Sequence, residues 1–132
     1  MKKIKYPIPV IEHFSAKPIL IGGAALAFHG VKPLDDDYDF IVSPKNFTQL
    51  QQVEDLKKLQ MDDDLGLGIE NFEFWLSIHG YQYDFWLEHA IDEEDFYVLS
   101  LEKLTFMTAM VADQPHYYQD LMLLINKIKS IK

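Results

Sequence analysis

The sequence predicts an α/β (α+β) fold, a small mixed β-sheet of about five strands flanked by helices. Three observations carry that expectation. Apolar runs of strand length end at glycine or alternate with polar residues, as in ILIGG and YDFIV. Longer helix-forming segments open on Ser, Ser-Pro or Pro. Of the 132 residues, 48% are apolar and 14% aromatic, enough to bury the core of a single domain spanning 1–132.

Taken in order, residues 9–14 read as a short amphipathic helical turn, and Lys17-Pro18 leads into a first strand, ILI, stopped by Gly22-Gly23. AALAF is a run of strong helix formers, and Gly30 after His29 fits a C-terminal stop. VKPLDDD is a loop, and YDFIV alternates into the second strand. Ser43-Pro44 starts a helix, with Ser as N-cap and Pro in the first turn. That helix is expected to run through NFTQLQQVEDLKKLQ, and MDDDLGLG reads as an acidic, glycine-bearing loop. FEFWLSI and YQYDFWL are expected as two strands of a hairpin turning tightly at His79-Gly80, and DFYVL as a short last strand. Ser100 caps a helix over LEKLTFMTAMVA, apolar on most sides and so expected inside. Pro115 opens the final helix, where Tyr117, Leu121, Leu124 and Ile128 form one stripe and the terminal lysines complement the helix dipole.

A formal net charge of −9 disfavours broad electrostatic binding to nucleic acid or to an anionic membrane. The absence of cysteine removes disulfides, thiolate metal sites and thiol nucleophiles. No apolar run is long enough to span a bilayer, and MKKIKYPIPVIEHF lacks a signal-peptide core. A cytoplasmic protein with no membrane partner is therefore the expectation.

The chemistry concentrates in LDDDYDF. In a strand, side chains two apart point the same way, so Asp37 and Asp39 share one face while Tyr38, Phe40 and Val42 share the core face. Two adjacent carboxylates raise each other's pKa, and a hard divalent cation that wants oxygen ligands accounts for the pair. Asp35 and Asp36 belong to the loop before the strand and read as loop residues. Gly22-Gly23 lets the backbone turn sharply where a strand gives way to a helix and lets an anion approach the N–H groups. The acidic pair begins 14 residues after Gly23. Asp62–Asp64 and Glu93–Asp95 read as solvated loops without EF-hand spacing. His29 reads as a helix-end residue whose ring packs or bonds a carbonyl, with a catalytic role as the lesser alternative, His79 as a hairpin-turn residue, and His116 as part of the last helix's first turn.

IGGAALAFHG followed by DDYDFIV resembles the signature of the minimal nucleotidyltransferases of the DNA polymerase β superfamily. In these, a strand ends in Gly-Gly or Gly-Ser, a short helix ends in Gly, and Asp-x-Asp opens the next strand. The Gly-Gly-x-Ala-Leu form is closest to the abortive-infection type IV toxin and lincosamide-resistance-like branches, and the resemblance covers about Ile19 to Leu124. It implies a nucleotidyltransferase fold in which Asp37 and Asp39 hold magnesium or manganese. A third carboxylate comes from a later strand, for which Asp84 in YQYDFWL is the candidate; its other reading is an edge-strand residue facing water. Gly22, Gly23 and the backbone of Ala24 would cradle the phosphates of a nucleoside triphosphate. The implied reaction moves a nucleoside monophosphate to a hydroxyl on RNA, a small molecule or a protein.

The chain departs from the family's pattern in its basic residues. Met107 and Thr108 stand where the helical segment commonly has Lys, and His116 with Gln119-Asp120 replaces a basic group; Lys32, Lys103 and His116 are the candidate substitutes. Those departures frame an alternative, a catalytically degenerate member acting as a binding or regulatory partner, for example in a toxin–antitoxin pair. A partner protein or a homodimer would then meet the aromatic hairpin or the last helix.

Overall fold

The computed structural model describes residues 14–131 together with Ile4 and Tyr6, so of the helical turn expected at residues 9–14 only Phe14 lies among the described residues. The described chain forms five helices, a seven-stranded mixed sheet and a separate two-stranded ribbon, an α+β architecture with more strands than the sequence suggests. β1 (Ile19–Ile21) runs into α1 (Gly22–Phe28), and the chain returns as β2 (Tyr38–Ile41), antiparallel to β1. After α2 (Pro44–Leu50), β3 (Lys57–Met61), β4 (Asp64–Ile69) and β5 (Phe72–Trp75) form an antiparallel meander. β5 lies parallel to β2. The ribbon of β6 (Ser77–Ile78) and β7 (Tyr81–Gln82) leads into α3 (Tyr83–Leu87). β8 (Ile91–Asp92) and β9 (Tyr97–Val98) complete the sheet, with β9 parallel to β1, before α4 (Leu101–Ala109) and α5 (Pro115–Ser130). The strand order is β3-β4-β5-β2-β1-β9-β8.

Elements with strong local signals form where the sequence places them. Gly30 has φ 72°, and the amides of Gly30 and Val31 return to the carbonyls of Ala27 and Leu26, closing α1. Ser43 Oγ accepts from the Asn46 amide at 3.2 Å, and Ser100 Oγ from the Lys103 amide at 3.1 Å, so both predicted caps are made. Pro115 opens α5, which buries Leu124 and half-buries Tyr117, Leu121 and Ile128. The lysine-bearing C-terminal end of α5 also matches expectation.

Three expectations are corrected. The helix from Ser43 stops at Leu50, and KKLQM becomes β3, because it pairs residue for residue with β4 across a two-residue turn at Asp62-Asp63. DLGLGI is a strand, not a loop. Its glycines mark close approach: a Cβ on Gly66 would sit 2.6 Å from the Trp75 ring. Asp64 is accordingly not a solvated acid but buried, accepting from Ser77 Oγ and from the amides of His79 and Gly80 at 2.7, 2.7 and 3.0 Å. Finally, His79-Gly80 does form the predicted tight turn, but the strand after it is only Tyr81–Gln82. YDFWL is helical because a turn of helix puts Tyr83 and Trp86 inward together, and the buried Trp86 donates its indole N–H to the Tyr81 carbonyl.

Strand alternation gives the large sheet two unlike faces. Phe40, Phe72 and Phe74 stack on one, with Phe40 centroids 6.4 and 5.7 Å from the other two, and Tyr6 and Phe14 pack over them. Each ring contributes about 1.5–3 kcal/mol by burial, which locks β2 against β5 in register. Ile21, Asp39, Glu73 and Trp75 turn to the opposite face, into a cavity closed by residues of α1, α4 and α5. Among the described residues no helix is long and apolar enough to cross a membrane.

Candidate functional site

The site is built where β1 ends. Gly22 opens α1 with φ 63°, a region that side-chain-bearing residues rarely adopt. A Cβ at this position would also lie 3.0 Å from Asp39 Oδ2. Glycine therefore serves twice: the turn needs its positive φ, and a Cβ would press on the carboxylate lying against it. At Gly23 the same construction meets Asp35 Oδ2 only at 3.5 Å, an ordinary contact, so the two glycines are not equivalent. Ala24 points its methyl into the core and leaves only its backbone near the turn. Gly22→Ala is expected to lower stability by about 1 kcal/mol or more, and Gly23→Ala by less. Denaturant unfolding of both variants measures this, and equal effects would contradict the close approach.

Asp39 is brought to the turn by pairing on both sides, with Ile21 opposite on β1 and Glu73 opposite on β5. Its carboxyl contacts the Glu73 side chain by a hydrogen bond, and its pKa is pushed up to about 7. Burial is the largest cause, followed by the charges of Glu73 and Asp37, the hydrogen bond itself, and Asp35. The neutral form of Asp39 is thereby favoured beside Glu73. Asp37, expected on the strand beside Asp39, sits one residue before β2 and is exposed. It still lines the same acidic cleft, of about 190 Å³, with Asp39, Glu70, Asn71 and Glu73. The loop leading in is ordered by bonds at the two residues before Asp37: Asp35 Oδ1 accepts from the Asp37 amide at 3.1 Å, and the Asn71 side chain donates to the Asp36 carbonyl.

Asp84 does not join this group. It lies exposed in the first turn of α3, and that helix is tied to the entry of β1 by the Tyr83 hydroxyl, which donates to the Lys17 carbonyl at 2.7 Å. The glycine turn and Asp39 lie at the other end of β1. Asp84 lines neither the acidic cleft nor the larger cavity. The carboxylate that faces Asp39 is Glu73, which sequence reasoning missed. Its signal was present, because Phe72-Glu73-Phe74 repeats the aromatic–acid–aromatic alternation of Tyr38-Asp39-Phe40.

Lys32 is held by Asp120, its Nζ lying 3.0 and 3.3 Å from the two carboxylate oxygens. Lys103 lies over the Phe85 ring at 3.5 Å, and His116 packs on Tyr117 at the start of α5. His29 bonds the Leu99 carbonyl at 2.9 Å, as expected of a helix-end histidine. Tyr81 and Tyr83 do not share a surface: Tyr81 stacks on Phe85 at 4.2 Å, and Tyr83 is buried.

Beside the acids opens the larger cavity, of about 220 Å³. Trp75, Leu104, Met107 and Tyr117 give it apolar walls, while Asp39, Glu73, Asp120 and His79 supply its polar groups. The His79 ring is oriented by the Met107 carbonyl at 3.1 Å. Neither cavity has a lysine among its lining residues. Among the described residues no group of three or more His, Cys, Asp or Glu side chains is arranged to hold a metal ion as it stands. No protein-family model matches the chain, and no curated protein matches it.

Proposed function

We propose that the protein transfers a nucleoside monophosphate from a nucleoside triphosphate to a hydroxyl acceptor, with a divalent cation held by Asp37, Asp39 and Glu73. The observation that carries this reading is the contact between the Gly22 turn and the Asp39 carboxylate, with Glu73 paired opposite. A backbone turn open to phosphates and a pair of acids thereby occupy one place at the sheet's edge of the cavity. The donor set fits magnesium or manganese in kind: hard carboxylate oxygens share one cleft with no basic lining residue, and Asp39 and Glu73 pair across neighbouring strands there. When bound, such a cation supplies charge neutralisation to the phosphates and to the leaving pyrophosphate.

The chain's own residues do the rest. The Gly22, Gly23 and Ala24 backbone admits phosphate oxygens close to its N–H groups. The apolar walls of the larger cavity shield one side of the reacting centre from water. In the transfer the acceptor oxygen bonds to the α-phosphorus and the bond to pyrophosphate breaks. Glu73 takes the acceptor's proton in this reading, on a carboxylate oxygen that does not hold the cation.

Because four carboxylates line the acidic cleft, a triphosphate is repelled unless a cation is present. Calorimetric titration is expected to detect nucleotide binding only with magnesium or manganese; no binding in any combination of metal and nucleotide would reject the proposal. One observation favours a second reading, a partner protein without catalysis, such as one half of a toxin–antitoxin pair: Lys32 is already engaged by Asp120. Cation-dependent nucleotide binding without transfer of label, together with a co-purifying partner, would select it.

A further inference from the structure

One edge of the large sheet is β3, which pairs with β4 alone among the described residues. Met61 and Asp64 close a two-residue turn, so the antiparallel alternation bonds Met61, Leu59 and Lys57 to β4. The amides and carbonyls of Lys58 and Gln60 are thereby left pointing outward. An edge of this kind is a template for another strand, and lysines are a usual means of blunting it. Here the same segment also carries the complement of its lysines. Lys57 and Lys58 precede Gln60 by three and two residues, and Asp62 and Asp63 follow it by two and three. All four side chains are exposed, and none makes an ion pair among the described residues.

From this arrangement we infer that β3 pairs antiparallel with β3 of a second copy of the chain, about a twofold axis at Gln60. Lys57 then faces the partner's Asp63, Lys58 faces the partner's Asp62, and Leu59 packs against the partner's Met61. The register joins the outward-facing Gln60 to the same position on the other copy, as antiparallel bonding requires, and lays Lys58 beside the turn residue Asp62, whose φ of 55° ends the ladder there. A shift of two residues, with Leu59 on the axis, would set Asp55 against the partner's Asp63 and Leu56 against the partner's Asp62. Charge therefore selects the register centred on Gln60. The pairing also covers apolar surface left open in the single chain. Met61 is 60% exposed and Leu65, across from Gln60 on β4, is 42% exposed. Met61 lines the larger cavity, so the partner's Leu59 extends that cavity's apolar wall. The inference is independent of the catalytic proposal.

Sedimentation equilibrium of the full chain tests it. The wild-type protein is expected to be a dimer, and its Gln60 amide to gain hydrogen-exchange protection as concentration rises. Lys57→Glu with Lys58→Glu, and separately Asp62→Lys with Asp63→Lys, each place like charges opposite and are expected to weaken dimerisation by about tenfold or more. An equimolar mixture of the two variants restores all four attractions and is expected to form a heterodimer. A wild-type chain that stays monomeric at millimolar concentration, with the Gln60 amide exchanging freely, would overturn the inference. So would variants that dimerise as strongly as the wild type.

Discussion

Asp39→Asn is expected to make the metal-free protein more stable at about pH 8 while removing nucleotide transfer. The ordinary aspartate pKa of 3.8 rises to about 7 in the fold, chiefly through burial and then through Glu73. Between those values the folded chain keeps a proton that the unfolded chain has lost, so stability falls as pH rises through this window and levels off above it. The loss at neutral pH is on the order of a few kcal/mol. Asparagine removes this ionisation, and its amide can still donate to Glu73. A rise of roughly 5 °C or more in melting temperature at pH 8 is expected, with little difference between variant and wild type at about pH 4. Saturating magnesium is expected to stabilise the wild type and not the variant, because the cation takes the place of the proton. Labelled-nucleotide transfer should fall by roughly 100-fold or more. Identical pH–stability curves would remove the acid pair from the account, and undiminished transfer would remove Asp39 from catalysis.

Glu73→Gln and Asp84→Asn, measured side by side, are expected to separate completely. Glu73 faces Asp39 across the β2–β5 ladder and lines both cavities, so its loss is expected to cut transfer by roughly 100-fold or more. It also removes the second largest influence on Asp39, whose titration should move back toward the ordinary aspartate range. Asp84 stands exposed in the first turn of α3, where a negative charge complements the helix N-terminus and touches no part of the site. Transfer by Asp84→Asn is expected within about twofold of wild type. A large loss there with retention in Glu73→Gln would reverse the assignment of the third acid.

Much of the fold was legible because its signals are local. A serine cap needs only the amide three residues on, a glycine stop only its own positive φ, and a strand face only the alternation of its own residues. Ser43, Ser100, Gly30 and the Tyr38–Phe40 face are all of this kind. The meander was not legible because Gly66 and Gly68 look like loop residues until the Trp75 ring and the Leu59 side chain are placed over them. The helix over YDFWL was hidden for a related reason. As a strand the segment alternates well, and only the buried positions of both Tyr83 and Trp86 favour a helical turn.

The sequence offers the same aromatic–acid–aromatic triplet three times, as Tyr38-Asp39-Phe40, Phe72-Glu73-Phe74 and Tyr83-Asp84-Phe85. By itself it determined that Asp39 points away from its aromatic neighbours, because that depends only on strand period; the antiparallel pairing of β2 with β1 then set it against the glycine turn. Which of the other two acids would meet Asp39 lay outside its reach. That choice was made by the parallel pairing of β5 with β2, in which stacked phenylalanines on the far face fix the register and deliver Glu73. Asp84 was carried instead to the opposite end of β1 by a helix whose tryptophan had to be buried.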